Sequence, residues 1–295
     1  LDLPMPAGDG VLVKVASASI CGSDLHMLEL GFFGDYVIGH EFAGTAPDGC
    51  AVAVEPTLGC GICNYCEDGD RHHCGAGSSI LGVFKDGGMA EYVLAPAQNL
   101  VELPTGLAVE IAALIEPLAV SVHTLDRARV KSGDKVLVIG AGPIGLAAGA
   151  VLQARKIPYD ISARHEHQRI AAQHLGAGLE VTTDYDVVID AVGSTQSLQL
   201  AVACLKPRGR IGLAGSFWEA AALDVGFCMK EIELIASTTY RCKAPQRNFE
   251  EAGKILAGNP QVASALITHR FALDAVSEAF AVASDRAGGA IKVIF

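Results

Sequence analysis

Along the first third of the chain, hydrophobic positions come in short runs broken by turn residues. GVLVKVAS, YVIGHEFAG, CAVAVEP and MAEYVLAP each carry β-branched or aromatic residues bounded by Gly, Pro, Asp or Ser. Little in them repeats at helical spacing, which predicts an irregular β-barrel-like domain over roughly the first 115 residues. Near Glu116 the period changes. PLAVSVHTLDRA reads as a helix, and KVLVIG, LAAGAVLQARK, YDISA, HQRIAAQHLGA, YDVVIDAVG, STQSLQLAVACL and RIGLAG alternate strand with helix. That alternation builds a parallel sheet, because each helix carries the chain back across its face. After Cys242 come a helix (NFEEAGKILAG), a strand (ALITHRFAL), a helix (DAVSEAFAVASD) and a strand (AIKVIF). Period alone leaves open whether these extend the parallel sheet or return to the first domain.

With 295 residues, 51% of them hydrophobic, the chain can bury two cores. Thirty-three acidic against 22 basic residues give a net charge of −11, with no dense basic run. Nucleic acid and anionic membrane are therefore poor partners, and the expected partner is a small molecule. The charge-free stretch 136–154 is as long as a bilayer span, yet its Gly140, Gly142, Pro143, Gly145 and Gly149 fit a buried strand turning into a buried helix. Nine cysteines, four of them clustered, fit metal-bound thiolates in a reducing compartment better than a disulfide framework. LDLPMPAGDG has no leader pattern, so cytoplasm is the expected location.

The cluster is CGICNYCEDGDRHHC, in which Cys60, Cys63, Cys66 and Cys74 are spaced to share one tetrahedral zinc. Four thiolates leave no open position for substrate, so this zinc is structural. A second motif follows a predicted strand: Gly140-Ala141-Gly142-Pro143-Ile144-Gly145, then an alanine-rich helix. The first glycine permits the tight turn, the second lets backbone approach a pyrophosphate, the third lets helix pack on strand, and the helix start offers N–H donors. In this setting the motif predicts NAD or NADP binding.

An acidic residue some 20 positions on normally holds the ribose. Asp160 has that offset but lies inside the YDISA strand, and the strand's end carries Ala163 and Arg164, with His165, His167 and Arg169 beyond. A small residue followed by a guanidinium suits a 2′-phosphate, so NADP is favoured over NAD.

Cys21-Gly22-Ser23-Asp24-Leu25-His26 and Gly39-His40-Glu41 offer a thiolate, an imidazole and a carboxylate, the mixed ligands of an open catalytic zinc. Taken singly, each also fits a core position. Together with LIEPLAVSVH, DGGMAEYV, DVVIDAVGS and ITHRFALDAVSEAF, they make the chain resemble the zinc-dependent medium-chain dehydrogenase/reductase family, in particular its polyol, threonine and secondary-alcohol branch. The resemblance spans nearly the whole chain. It implies an α/β protein in which a GroES-like β-rich catalytic domain (1–118 and 246–295) surrounds a Rossmann domain with a doubly wound parallel sheet (119–245).

By that resemblance Cys21, His40 and Glu116 are ligands of a catalytic zinc, and Glu41 is a ligand or a water-mediated neighbour. Asp24 orients His40. Ser23 and His26 form a proton relay, Val192 and Gly193 lie beside the cofactor, and Lys292 approaches its pyrophosphate. The implied activity is hydride transfer between a polyol, cyclitol or secondary alcohol and NAD(P), with two zinc ions per chain. The alternatives are a zinc-free quinone or enoyl reductase, which the full ligand set argues against, and a non-catalytic cofactor sensor. The family also implies a homodimer or homotetramer, with a sheet edge near Ile211 and the segment after it as the contact. Two connections, 45–51 and 179–185, are shorter than the family's usual ones, and no ligand is lost in either.

Overall fold

The computed structural model of the chain describes residues 9–295, so the leader reading at 1–8 lies outside the described residues. The protein divides into two compact units. The first draws on the chain up to Glu116, on Thr239–Ala263 and on Ile267–Phe295, and the second on Pro117–Thr238 and Ser264–Leu266.

The first unit, the GroES-like domain, is built on a seven-stranded sheet in the order Ile267–Arg270, Lys292–Ile294, Gly10–Ser19, Glu41–Thr45, Ala51–Val54, Leu100–Glu102, with Tyr92–Pro96 also on Gly10–Ser19. Gly10–Ser19 serves three partners along its length: Tyr92–Pro96 from Gly10 to Lys14, Glu41–Thr45 from Lys14 to Ser19 with a register shift between Val15 and Ser17, and Ile294 at Ser19. The shift bends the strand and delivers Ser19 and Cys21 to one end of the sheet. Val13, Phe42, Val54, Val93 and Val293 fill the core behind it. The C-terminal strands thus return to the first domain, a placement that strand period alone leaves open.

Three local expectations change. YVIGHEFAG is strand only over Glu41–Thr45, so His40 stands at the strand's entry. Gly22–Glu29 is a helix, started by Asp24 accepting the N–H of Cys21. ALI belongs largely to the helix Pro260–Leu266, which Asn259 caps and Pro260 begins, and the strand is Ile267–Arg270. The chain re-enters the first unit at Thr239, ahead of the expected 246, because the stretch after it is bonded to the cysteine lobe.

The second unit carries a five-stranded parallel sheet of Rossmann type in the order Glu233–Ala236, Leu205–Leu213, Tyr185–Asp190, Val136–Ile139, Tyr159–Ser162. Leu205–Leu213, which contains Ile211, is therefore interior, and the edge on that side is Glu233–Ala236, in the segment after it. Among the described residues no helix is long and apolar enough to cross a membrane. The glycine-rich stretch becomes the strand Val136–Ile139 and the buried helix Pro143–Ala154.

Candidate active site

At the end of Gly10–Ser19 the chain turns through Cys21 into the helix Gly22–Glu29, and the carboxylate of Asp24 organises the groups around that turn. Asp24 is fully buried; its Oδ2 accepts the N–H of Cys21 at 2.9 Å, and its Oδ1 lies 3.2 Å from His40 Nδ1. The latter is a charge contact without an aligned hydrogen bond. The ring's other nitrogen, Nε2, is 3.4 Å from Ser23 Oγ. Ligand atoms of Cys21, His40 and Glu41 all lie within 4.8 Å of one another.

This donor set fits a cation. Burial alone would lower the His40 imidazole, but the charges of Asp24 and Cys21 outweigh it and hold the group well above its ordinary value. A thiolate, an imidazole and a carboxylate suit zinc.

Glu116 stands outside the 4.8 Å set. It sits in the first turn of Ile115–Arg127, and burial pushes its carboxyl up to about 8, with His40 and Lys292 pulling down and Glu41 and Asp24 pushing up. His26, one turn beyond Ser23, is partly exposed and 3.7 Å from Glu29.

Lys292 is engaged otherwise than expected. Its buried ammonium donates to Glu41 Oε1 at 2.8 Å, to Glu41 Oε2 at 2.7 Å and to the carbonyl of Ile20 at 3.0 Å. An ammonium has three donors, so none remains here for a pyrophosphate. Glu41 also accepts the hydroxyl of Ser19, a residue that sequence motifs did not single out.

In the cysteine lobe the sulfurs of Cys60, Cys63, Cys66 and Cys74 lie within 4.8 Å of one another, and Cys63 and Cys74 are 4.0 Å apart. Zinc–sulfur bonds of about 2.3 Å imply sulfur spacings of about 3.8 Å in a tetrahedron, so the lobe fits the metal. Backbone N–H groups of Cys66 and Gly75 bring the Cys63 thiol down to about 6, whereas burial pushes Cys66 up to about 12. The lobe rests on buried Glu55, whose carboxylate takes Arg71 at 3.3 Å and Arg247 at 2.8 and 2.9 Å. Cys242 N–H donates to the Gly69 carbonyl, and Arg241 and Lys243 to those of Asp68 and Glu67. Sequence motifs revealed none of this support, since its partners are far apart in the chain.

In the second unit, Gly140 adopts φ +94° at the end of Val136–Ile139, and Gly142 starts the helix that has Pro143 and Ile144 in its first turn. A methyl on Gly145 would fall 1.7 Å from the Gly140 carbonyl, whereas one on Gly142 would meet nothing within 4 Å. Close packing at one glycine and open space at another fit a backbone cradle for a dinucleotide. Val192 leans over Gly140, and Asp190 holds the loop by accepting the N–H groups of Val192 at 2.9 Å and Gly193 at 3.1 Å. Asp160 takes the Tyr185 hydroxyl at 2.7 Å. Ala163 and exposed Arg164 follow Tyr159–Ser162, and Arg169 faces Glu166 at 3.6 Å.

The chain matches the alcohol dehydrogenase GroES-like domain over residues 7–105 and the glucose dehydrogenase C-terminus over residues 109–294. It is 32% identical to the L-galactonate-5-dehydrogenase of Escherichia coli K12, over 95% of this chain and 89% of that one. It is 30% identical to the L-threonine 3-dehydrogenase of Pyrococcus furiosus, over 100% and 93%. A short chain alcohol dehydrogenase (rspB) of E. coli CFT073, solved with NADH, superposes with a TM-score of 0.89 at 29% identity, covering 100% of this chain and 94% of that one. The protein belongs to the zinc-type medium-chain alcohol dehydrogenase family.

Proposed function

We propose that this protein is a zinc-dependent oxidoreductase that moves a hydride between a hydroxyl-bearing carbon of a polyol, sugar acid or secondary alcohol and NAD(P), with NADP preferred. The observation that carries it is the Cys21–His40–Glu41 set, its His40 and Glu41 buried, with Asp24 behind it and Ser23 beside it. Cys21, His40 and Glu116 hold the catalytic zinc, and Glu41, charge-balanced by Lys292, is its neighbour. Cys60, Cys63, Cys66 and Cys74 hold the structural one. A bound zinc supplies Lewis acidity that makes a substrate hydroxyl more acidic.

The chain's own residues do the rest. Ser23 Oγ would accept the hydroxyl proton, and His26, one turn further along the same helix and partly exposed, would give it an outlet to solvent. Asp24, 3.2 Å from Nδ1, orients the His40 ring through its charge. Gly140, Gly142, Pro143, Ile144 and Gly145 cradle the pyrophosphate, with Val192 and Gly193 alongside. Arg164, with no carboxylate at the ribose end of Tyr159–Ser162, supports NADP, and Arg169 adds positive charge. We also infer a homodimer through Glu233–Ala236, and a cytoplasmic location from cysteines arranged for metal-bound thiolates rather than for disulfides.

The test is zinc content per chain together with initial rates on sorbitol, galactonate, threonine and 2,3-butanediol with each cofactor. Two zinc ions and NADP-linked oxidation are expected; one zinc and no turnover with either cofactor would overturn the reading in favour of a non-catalytic protein.

A further inference from the structure

Ser19 ends the strand Gly10–Ser19 with a bonded strand on each side: it stands directly opposite Glu41 on Glu41–Thr45 and opposite Ile294 on Lys292–Ile294. Directly paired residues send their side chains to one face, and so do residues two apart on a strand. Ser19, Glu41 and Lys292 therefore meet on one face of three adjacent strands, and all three are sealed from solvent. The backbone around Ser19 is fixed as well, since the Phe295 N–H donates to the Ala18 carbonyl at 2.8 Å and the Ile20 N–H to the Val293 carbonyl at 3.0 Å.

Two kinds of donor hold the Glu41 carboxylate. Lys292 spans both oxygens at nearly equal distance, 2.8 and 2.7 Å, and so prefers neither. The Ser19 hydroxyl donates to Oε2 alone. A carboxylate accepts at about four positions, and with three of them taken the one left lies on Oε1. A hydroxyl on a short side chain in a fixed strand has a direction that a long lysine stem lacks, so Ser19 sets how the carboxylate is turned. The turn matters because the Glu41 ligand atom lies within 4.8 Å of those of Cys21 and His40. If Glu41 joined Cys21, His40 and Glu116, it would complete four protein ligands, and a tetrahedral zinc so held has no position for substrate.

We propose that Ser19 is a positioning residue: its hydroxyl holds the Glu41 carboxylate on Lys292, out of the ligand shell of a metal at Cys21 and His40, and so keeps one coordination position open for the substrate hydroxyl. This rests on the proposed zinc chemistry and adds to it the residue that decides between an open and a closed site.

The test reads the metal rather than turnover. Cobalt(II) is exchanged for the catalytic zinc while the cysteine lobe keeps its own; its visible absorption reports coordination, and added imidazole reports whether a position is open. Wild type, Ser19→Ala and Ser19→Thr are compared without substrate or dinucleotide. In Ser19→Ala the bands are expected to shift before imidazole is added, and imidazole affinity should fall at least about tenfold, the scale of a lost hydrogen bond to a charged group. Ser19→Thr keeps the hydroxyl and should match wild type on both counts. Wild-type bands and wild-type imidazole affinity in Ser19→Ala would overturn the proposal, whatever happens to its stability, and so would a folded Ser19→Thr that behaves like Ser19→Ala. Should Ser19→Ala fail to fold, Ser19→Gly carries the same two readings. A wild type that takes up no metal at Cys21 and His40 is a separate result, and it would sink the zinc reading itself.

Discussion

Asp24 works on two donors at once, fixing the backbone of Cys21 with one oxygen and facing the His40 ring with the other. Removing such a partner of a ligating histidine typically costs about 10–100-fold in metal affinity. Asp24→Asn, which keeps shape and removes charge, should therefore lose zinc from one of two sites to a chelator at concentrations that leave the wild type loaded. Equal retention would show that the ring is oriented by something else. Lys292 gives a second residue-scale prediction. Truncating one partner of a buried ion pair costs about 3–5 kcal/mol, so Lys292→Met should unfold at clearly lower urea. Unchanged stability with weakened NAD(P) binding would return Lys292 to the pyrophosphate. Short motifs such as CGSDLH and GHE made the donors of this site legible in sequence. Glu41 and Lys292 are 251 positions apart, and only the sheet, which seats Lys292–Ile294 beside Gly10–Ser19, brings them into one ion pair.

The glycine loop separates fold from binding within one element. Gly145→Ala places a methyl against the Gly140 carbonyl and should destabilise the second unit by about 3 kcal/mol or more. Gly142→Ala has room for its methyl, so the fold should hold while, on the proposed cradle, dinucleotide affinity drops because the methyl takes space left for a pyrophosphate. Thermal melts with and without NADP distinguish the two; equal loss of stability in both would mean that the space at Gly142 serves packing. Strands and helices of the second unit were readable because each is long and its period is clean. Gly22–Glu29 was not: it is short, buries only Asp24 and Met27, and owes its start to the Asp24 carboxylate rather than to an apolar stripe. Pro260–Leu266 misled for a related reason, as apolar residues flow directly from helix into strand and no polar break marks the join.

At the scale of the whole molecule, the two edges of the parallel sheet are treated differently. Tyr159–Ser162 is closed by Gly178, which exchanges backbone bonds with Tyr159 and Ile161 at 3.0 and 2.9 Å. Glu233–Ala236 pairs only with Leu205–Leu213 and presents Leu234 to solvent, while its one charged residue, Glu233, is neutralised by Arg129. Nearby, Val225 and Met229 are 75% and 78% exposed. An open edge with an exposed apolar residue and no lysine or proline to protect it is a template for pairing, and a second copy offers a matching edge about a two-fold axis. Leu234→Lys should convert the protein to a single-chain mass in sedimentation at micromolar concentration, with zinc content and melting of the sheet little changed. A wild type that sediments as one chain would remove the need for a partner at this edge. A Leu234→Lys variant that still sediments as a dimer would place the contact elsewhere.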